Sequence, residues 1–248
     1  MTLKKGKICA ILQPHYLPWI GYFEMFDRVD IFVFLDDVQF IKREWKNRNK
    51  IRKTHNHPES KWLSVPVKTI DQRKSLNQVR LVQEDWPRAH LDSIASTYGK
   101  TPFFSEVFSF LESALKNNKE TILSELNIGL IHEINSLIGI KTEHVKSSDI
   151  GVTGKREEKI LNICKAIGSG YYMANNASAN YIDPIYFSDN GIEVFPQNYT
   201  HPVYDQIFGQ QILTPLSHLS VIDLLFNVGF GRKALETIRL GRRSNLRL

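Results

Sequence analysis

KICAILQPHYLPWIGYFEMFDRVDIFVFLDDV, residues 7–38, decides how this chain folds. KICAIL (7–12) has the composition of a buried strand, the prolines at 14 and 18 punctuate it, and WIGYFEMFDRV reads as a helix. DIFVFLDDV (30–38) then sets five consecutive apolar residues in a second strand, the pattern of a strand covered on both faces in a parallel sheet. Strand, helix and strand within about 30 residues make a βαβ unit, whose right-handed crossover lays the strands side by side. The segments that follow them then open on one sheet edge, so the turn after Leu12 and the acidic pair after Leu35 are expected to face a common crevice.

Outward from this unit, KWLSVPVK (61–68) and LNQVRLV (76–82) read as two further strands, the first carrying a Pro that suits an edge or an end. Helical patterns follow at 86–98, 104–117 and 120–138, the last with Ile122, Leu126, Leu130, Ile134 and Leu137 on one stripe. After Gly139 the alternation returns: a strand at 141–146, the loop SSDIGVTGK, a helix at 156–167, a strand at 170–174, a short helix near 183–189, a strand at 192–199, the apolar helix LSVIDLLFNVG (219–229) and a basic helix. The expected fold class is α/β, a mainly parallel sheet with flanking helices and a helical insertion. Its parts are an N-terminal α/β half (1–85), the insertion (86–139), a C-terminal α/β half (140–231) and a basic C-terminal helix or tail (232–248), all within one compact body.

With 248 residues, 42% of them hydrophobic and 23% charged, the chain is long enough for a sizeable core, which excludes fibrous, collagenous and disordered classes. No apolar run approaches the roughly 18 residues a membrane span needs, and Cys9 and Cys164 make neither a disulfide framework nor a zinc spacing. A cytoplasmic setting is expected, with both thiols as small core side chains. The net charge of +6 is unevenly placed: residues 39–55 carry seven Lys/Arg against one Glu and residues 232–248 six against one, leaving the remainder acidic. Two basic patches on an acidic body suit phosphate or nucleic acid as a partner.

Four constellations could carry chemistry. In QPHYLPWIGYF (13–23) two prolines hold the backbone extended at a strand end, presenting Gln13, His15, Tyr16 and Trp19, with Gly21 and Tyr22 behind them. In LDDVQFIKREWKNRNKI (35–51), Asp36 or Asp37 could bind hydroxyls or accept a proton from an amine. Alternation along the strand turns only one of them toward the crevice, so a metal cage is the weakest reading and no metal site is assigned. Gln39, Lys42, Arg43, Trp45, Asn47 and Arg48 combine cation, ring and amide, as a nucleotide or sugar nucleotide requires. SSDIGVTGKREEK (147–159) is a loop leading into a helix with Lys155 at its start, a recipe for an anion cradle or for a plain cap. The C-terminal half supplies Asn175, Tyr181, His201, Tyr204 and Gln206 in loops and strand ends, with His201 a general-base candidate and Asp223 a carboxylate that needs a partner if buried.

Together QPHYLPWIGYF, DDVQFIKREWKNRN, KWLSVPV, YYMANNASANYID, HPVYDQ and LSVIDLLFNVG resemble the WbqC-like proteins of bacterial surface-polysaccharide clusters, over about residues 7 to 230. The positions matching the family's motifs are Gln13, Pro14, Trp19, Gly21, Tyr22, Asp36, Asp37, Gln39, Lys42, Asn47, Tyr204, Gln206, Asp223 and Asn227, whereas His15 falls where the family pattern varies. The resemblance implies acylation or aminoacylation of the amine of a nucleotide-linked amino sugar for O-antigen or capsule. In that reading Asp36, Asp37, His201 or His15 takes the proton, Lys42, Arg43 and Arg48 hold the diphosphate, and Trp45 and Tyr22 line the base or sugar. No tightly bound cofactor is implied; an acyl-carrier thioester, an aminoacyl-tRNA or an ATP-derived acyl-adenylate would each serve as donor, with an acyl carrier protein or tRNA as partner. Two other classes fit the same residues: an RNA-binding module, on the basic segments and Trp45, and a non-catalytic subunit of a glycan assembly complex.

Overall fold

The computed structural model describes residues 6–175, 178 and 182–243. β1 (Lys7–Leu12), α1 (Ile20–Arg28) and β2 (Ile31–Phe34) form the βαβ unit, with β1 and β2 parallel and Leu12 opposite Phe34. The chain then makes an antiparallel hairpin apart from the main sheet, β3 (Arg48–Arg52) with β4 (Ser60–Ser64). Three helices follow, α2 (Trp86–Tyr98), α3 (Phe104–Lys116) and α4 (Leu123–Ile138). β5 (Glu143–Lys146), the single turn α5 (Ser147–Ile150), α6 (Glu157–Ala166), β6 (Ser169–Ala174), α7 (Pro184–Asp189) and β7 (Glu193–Pro196) restore the α/β alternation. A short hairpin, β8 (Ile207–Phe208) with β9 (Gln211–Ile212), precedes α8 (Val221–Val228) and α9 (Arg232–Arg239).

The main sheet has five strands among the described residues, all parallel, in the order β5-β2-β1-β6-β7. Strand side chains alternate between two cores. Ile8, Ala10, Phe32, Phe34, Tyr171 and Met173 face α1, the helices 86–138, α8 and α9; Cys9, Ile11, Ile31, Val33, Tyr172 and Ala174 face α6 and α7. Both faces being covered explains the unbroken apolar run in β2. Because the chain leaves β1 toward β2 on one side and β6 adds on the other, the strand order reverses at the β1–β6 gap, the place where open α/β sheets bind ligands. Among the described residues no helix is long and apolar enough to cross a membrane.

Several sequence expectations are corrected. LNQVRLV is not a strand: Leu76–Gln78 is a 3₁₀ turn and only single bridges involve Arg80 and Leu81, because buried Asp71 binds the Arg80 amide and guanidinium and holds the segment in a loop. The strand expected at 61–68 stops at Ser64, two residues before Pro66, and the one at 192–199 stops at Pro196. SSDI is a helical turn rather than loop, closed by Gly151 at φ +72°. The basic stretch after Arg48 is a strand, one the run of charges concealed. Basic charge near the C-terminus is used within the chain: Arg239 and Arg242 pair with Asp27, and Arg242 also with Glu24, which docks α9 on α1.

Candidate functional site

A cavity of about 300 Å³ opens where β1 and β6 end, at the switch point of the sheet. Leu12 ends β1, Asn175 follows β6 and Gln197 follows β7; α1 gives Gly21, Tyr22 and Met25; His15, Trp19, Trp45, Asn49 and His218 complete the wall. The lining is mainly apolar and aromatic, with a few polar groups, the make-up of a small-molecule site.

The turn that supplies His15 and Trp19 is irregular backbone between two prolines, so its carbonyls need donors from elsewhere. Side-chain amides provide them. Asn127 of α4 donates to Pro14 O at 3.0 Å and to Lys46 O at 2.7 Å; Asn49 of β3 donates to Tyr16 O at 3.2 Å and Leu17 O at 2.7 Å. Ser220 Oγ reaches Leu17 O at 2.7 Å, stabilising a residue held at φ +41°. The Tyr16 amide donates to Trp45 O at 3.0 Å, which ties the turn to the basic segment. Gln197 Nε2 donates to Gly21 O and to buried Glu24 at 2.6 and 2.7 Å, closing the far wall.

His15 stands half-buried against Tyr22, ring centroids 5.3 Å apart, and makes no hydrogen bond to the protein among the described residues. Burial, reinforced by the charge of Lys46, pushes its pKa down to about 3, so the ring is neutral at pH 7. Lys46 is itself buried and pairs with Glu44; burial lowers it to about 8. Trp19 folds over Gly21 and stacks on His218 at 5.2 Å and His201 at 6.3 Å, with its edge toward Tyr199. His201 Nδ1 donates to Pro202 O at 2.8 Å, which leaves Nε2 as a buried acceptor without a partner; burial lowers this imidazole to about 4.

The two aspartates stand apart from this cavity. Both lie at the end of β2 as the sequence implies, but α5 and α6 take up their oxygens. Asp36 is fully buried and accepts from the Ser148 amide at 3.0 Å and Ser148 Oγ at 2.7 Å; Asp37 accepts Lys159 Nζ at 2.6 Å, and Ser147 Oγ lies within 3.1 Å of both carboxylates. Neither lines the cavity. The crevice expected between the β1 and β2 tips is therefore displaced to the β1–β6 gap, because α5, which follows β5, occupies the β2 tip. The anion cradle at 147–159 is likewise self-occupied: Glu157 and Glu158 fill the first turn of α6, the Lys155 amide donates to Glu158, and the exposed Lys155 does not reach the cavity.

The remaining candidates divide by burial. Tyr16 is in the core, its hydroxyl 2.9 Å from His90 Nδ1, and His90 Nε2 faces Ser64 O. Gln13 gives its carbonyl to Tyr22. Asn47 is buried and donates to Val65 O. Gln206 is buried against Arg52 and the Leu216 backbone, Tyr204 binds Asp223, and Asn175 folds its side chain onto Ser178. Gln39, Lys42 and Arg43 are exposed, while Trp45 forms a rim of the cavity; Arg48 lies over Trp62. Tyr181 is outside the described residues. Sequence reasoning passed over Trp62, Asn127, Gln197 and His218, whose roles depend on long-range contact; the KWLSVPV motif carried a signal for Trp62, and Asn49 was legible only as one amide of the basic stretch. Among the described residues no group of three or more His, Cys, Asp or Glu is placed to hold a metal ion.

With the cavity and its turn described, the comparison with known proteins becomes specific: the model of the WbqC-like protein family matches residues 13–234. The chain belongs to the WbqC-like family. An uncharacterised Mycobacterium tuberculosis protein, Rv1507c, is 31% identical over 225 residues, covering 90% of this chain and 94% of that protein. No solved structure matches the chain. The WbqC-like match begins at Gln13, the first residue of the proline-framed turn, and so takes in the turn, the basic hairpin and α8.

Proposed function

We propose that this WbqC-like protein transfers an acyl or aminoacyl group, glycyl-like in size, to the amine of a nucleotide-linked amino sugar. The observation that carries the reading is His15, an imidazole that makes no hydrogen bond to the protein among the described residues and stands in an aromatic-lined cavity at the switch point of the sheet. The amine nitrogen attacks the donor's carbonyl carbon, its excess proton passes to His15 as the C–N bond forms, and the donor's thiol, hydroxyl or phosphate leaves with the bond electrons and takes that proton. Aromatic walls suit the faces of a sugar ring and exclude water. The surface-polysaccharide setting of the proteins the motifs resemble supports an amino sugar as acceptor, and a pantetheine thioester, an aminoacyl ester or an acyl-adenylate serves as donor.

The test is mass-spectrometric: purified protein is incubated with nucleotide-linked amino sugars and each donor class, and the mass gain of the sugar is read. His15→Gln, which keeps the volume of the side chain, is expected to lower kcat at least 100-fold with the fold retained. An unchanged kcat overturns the role of His15. If no combination gives product and glycan output in cells is indifferent to the substitution, the protein is a non-catalytic subunit instead.

A further inference from the structure

The cavity is too small for a whole sugar nucleotide, and the surface beside it has the chemistry for the rest. On the β3–β4 hairpin Lys50 pairs with Trp62, so Arg48, Lys50 and Trp62 share the outward face. The Arg48 guanidinium lies 3.9 Å from the Trp62 ring centroid and Lys50 Nζ 5.0 Å from it. Trp45, 41% exposed, stands 5.3 Å from Trp62 and also walls the cavity, which joins hairpin face and cavity into one surface. Two large indoles left exposed side by side are costly unless something covers them.

The charge here is uncompensated. Lys46 and Lys53 have glutamate partners and Arg52 is bonded to Gln206 and the Thr214 carbonyl, whereas Lys42, Arg43, Arg48 and Lys50 pair with no carboxylate among the described residues. Arg48 Nε is buried without an acceptor. Arg48 and Lys50, two residues apart on one strand, stand roughly 7 Å apart along the backbone on the same face, close enough for their long side chains to converge on one diphosphate.

The geometry points to this hairpin face as the binding subsite for a nucleoside diphosphate: the base covers the Trp45–Trp62 pair, the phosphates lie against Arg48 and Lys50, and the sugar enters the cavity past Trp45. A single pair of rings beside one cavity fits one nucleotide rather than a track along a strand of RNA. The inference rests on the transfer reading for the identity of the sugar, but not for the existence of the subsite.

Titration of the whole protein with UDP, uridine and a single-stranded RNA oligomer, followed by tryptophan fluorescence, tests it. UDP is expected to quench and to bind at least 10-fold tighter than uridine, and Trp62→Ala and Arg48→Gln are each expected to weaken UDP at least 10-fold with unchanged thermal unfolding. UDP binding that is indifferent to both substitutions, or absent, overturns the subsite. So does RNA binding that is tighter than UDP binding and falls steeply with salt. The two proposals fail separately: loss of UDP binding in these variants without any transfer activity in the unaltered protein keeps the subsite and removes the transferase, whereas acyl transfer that proceeds equally in the variants removes the subsite alone.

Discussion

Gly21 shows how little freedom single residues have around the cavity. A Cβ there would lie 2.3 Å from Trp19 Cη2 and Cζ2, so any side chain expels the indole from its stack on His218. Gly21→Ala is expected to lower stability by about 1–3 kcal/mol in denaturant unfolding, as overpacking does, and to abolish binding of ligands that touch Trp19. Asp223 is the second such position: buried on α8, it accepts Tyr98 OH at 2.9 Å and Tyr204 OH at 2.8 Å, anchoring the loop that carries His201. Asp223→Ala strands two buried hydroxyls and should cost about 2–3 kcal/mol, while Asp223→Asn, which keeps an acceptor, should cost less. Equal losses in the two variants would mean that the charge, not the acceptor, is what matters. Asp36 and Asp37 are alike in type but act as fasteners for α5 and α6, and their consumption by Ser147, Ser148 and Lys159 is what moves the candidate chemistry to imidazole.

At the scale of elements, the helices 86–138 do more than cover the sheet. α4 sends Asn127 to two carbonyls that belong to different segments, the proline-framed turn and the basic stretch before β3. Asn127→Ala leaves both carbonyls buried without that donor; about 1–3 kcal/mol of stability should be lost, and ligand affinity should fall together with it because His15 and Trp45 are no longer held in register. Binding measured under conditions where the variant is fully folded separates the two effects; unaltered affinity there would show that the turn keeps its shape without α4. The β3–β4 hairpin is a different kind of element. Its inner face is locked, with Asn49 and Ile51 buried, and its outer face is left to Arg48, Lys50 and Trp62.

Across the whole molecule, buried imidazoles set the response to pH. His15, His90 and His201 are lowered by burial to about 3, 4 and 4, against an ordinary value near 6.5. Between pH 6.5 and 4 the unfolded chain therefore binds protons that the folded chain does not, and stability falls as pH falls through that window. Asp223 opposes this: burial raises it to about 6, so the folded state takes up a proton there before the unfolded state does. Burial lowers His144 as well and raises Glu24 as well, so four imidazoles stand against two carboxylates and outweigh them. The melting temperature should drop between pH 7.5 and 5, and Asp223→Asn should make the drop steeper; a flat profile would mean that the histidines are solvated. What the sequence determined by itself was local and periodic. The βαβ unit, the parallel α/β class, the helices read at 86–98 and 104–117 and the polar strand ends all follow from apolar spacing and proline punctuation, which act within a few residues. Tertiary structure alone decided which strand ends meet. The position of β5 beside β2 sets α5 on the aspartates, the reversal at β1 opens the cavity against β6, and Asn127, Gln197 and His218 reach it from far along the chain, because side-chain hydrogen bonds and ring contacts form between neighbours in space and leave no period in the sequence.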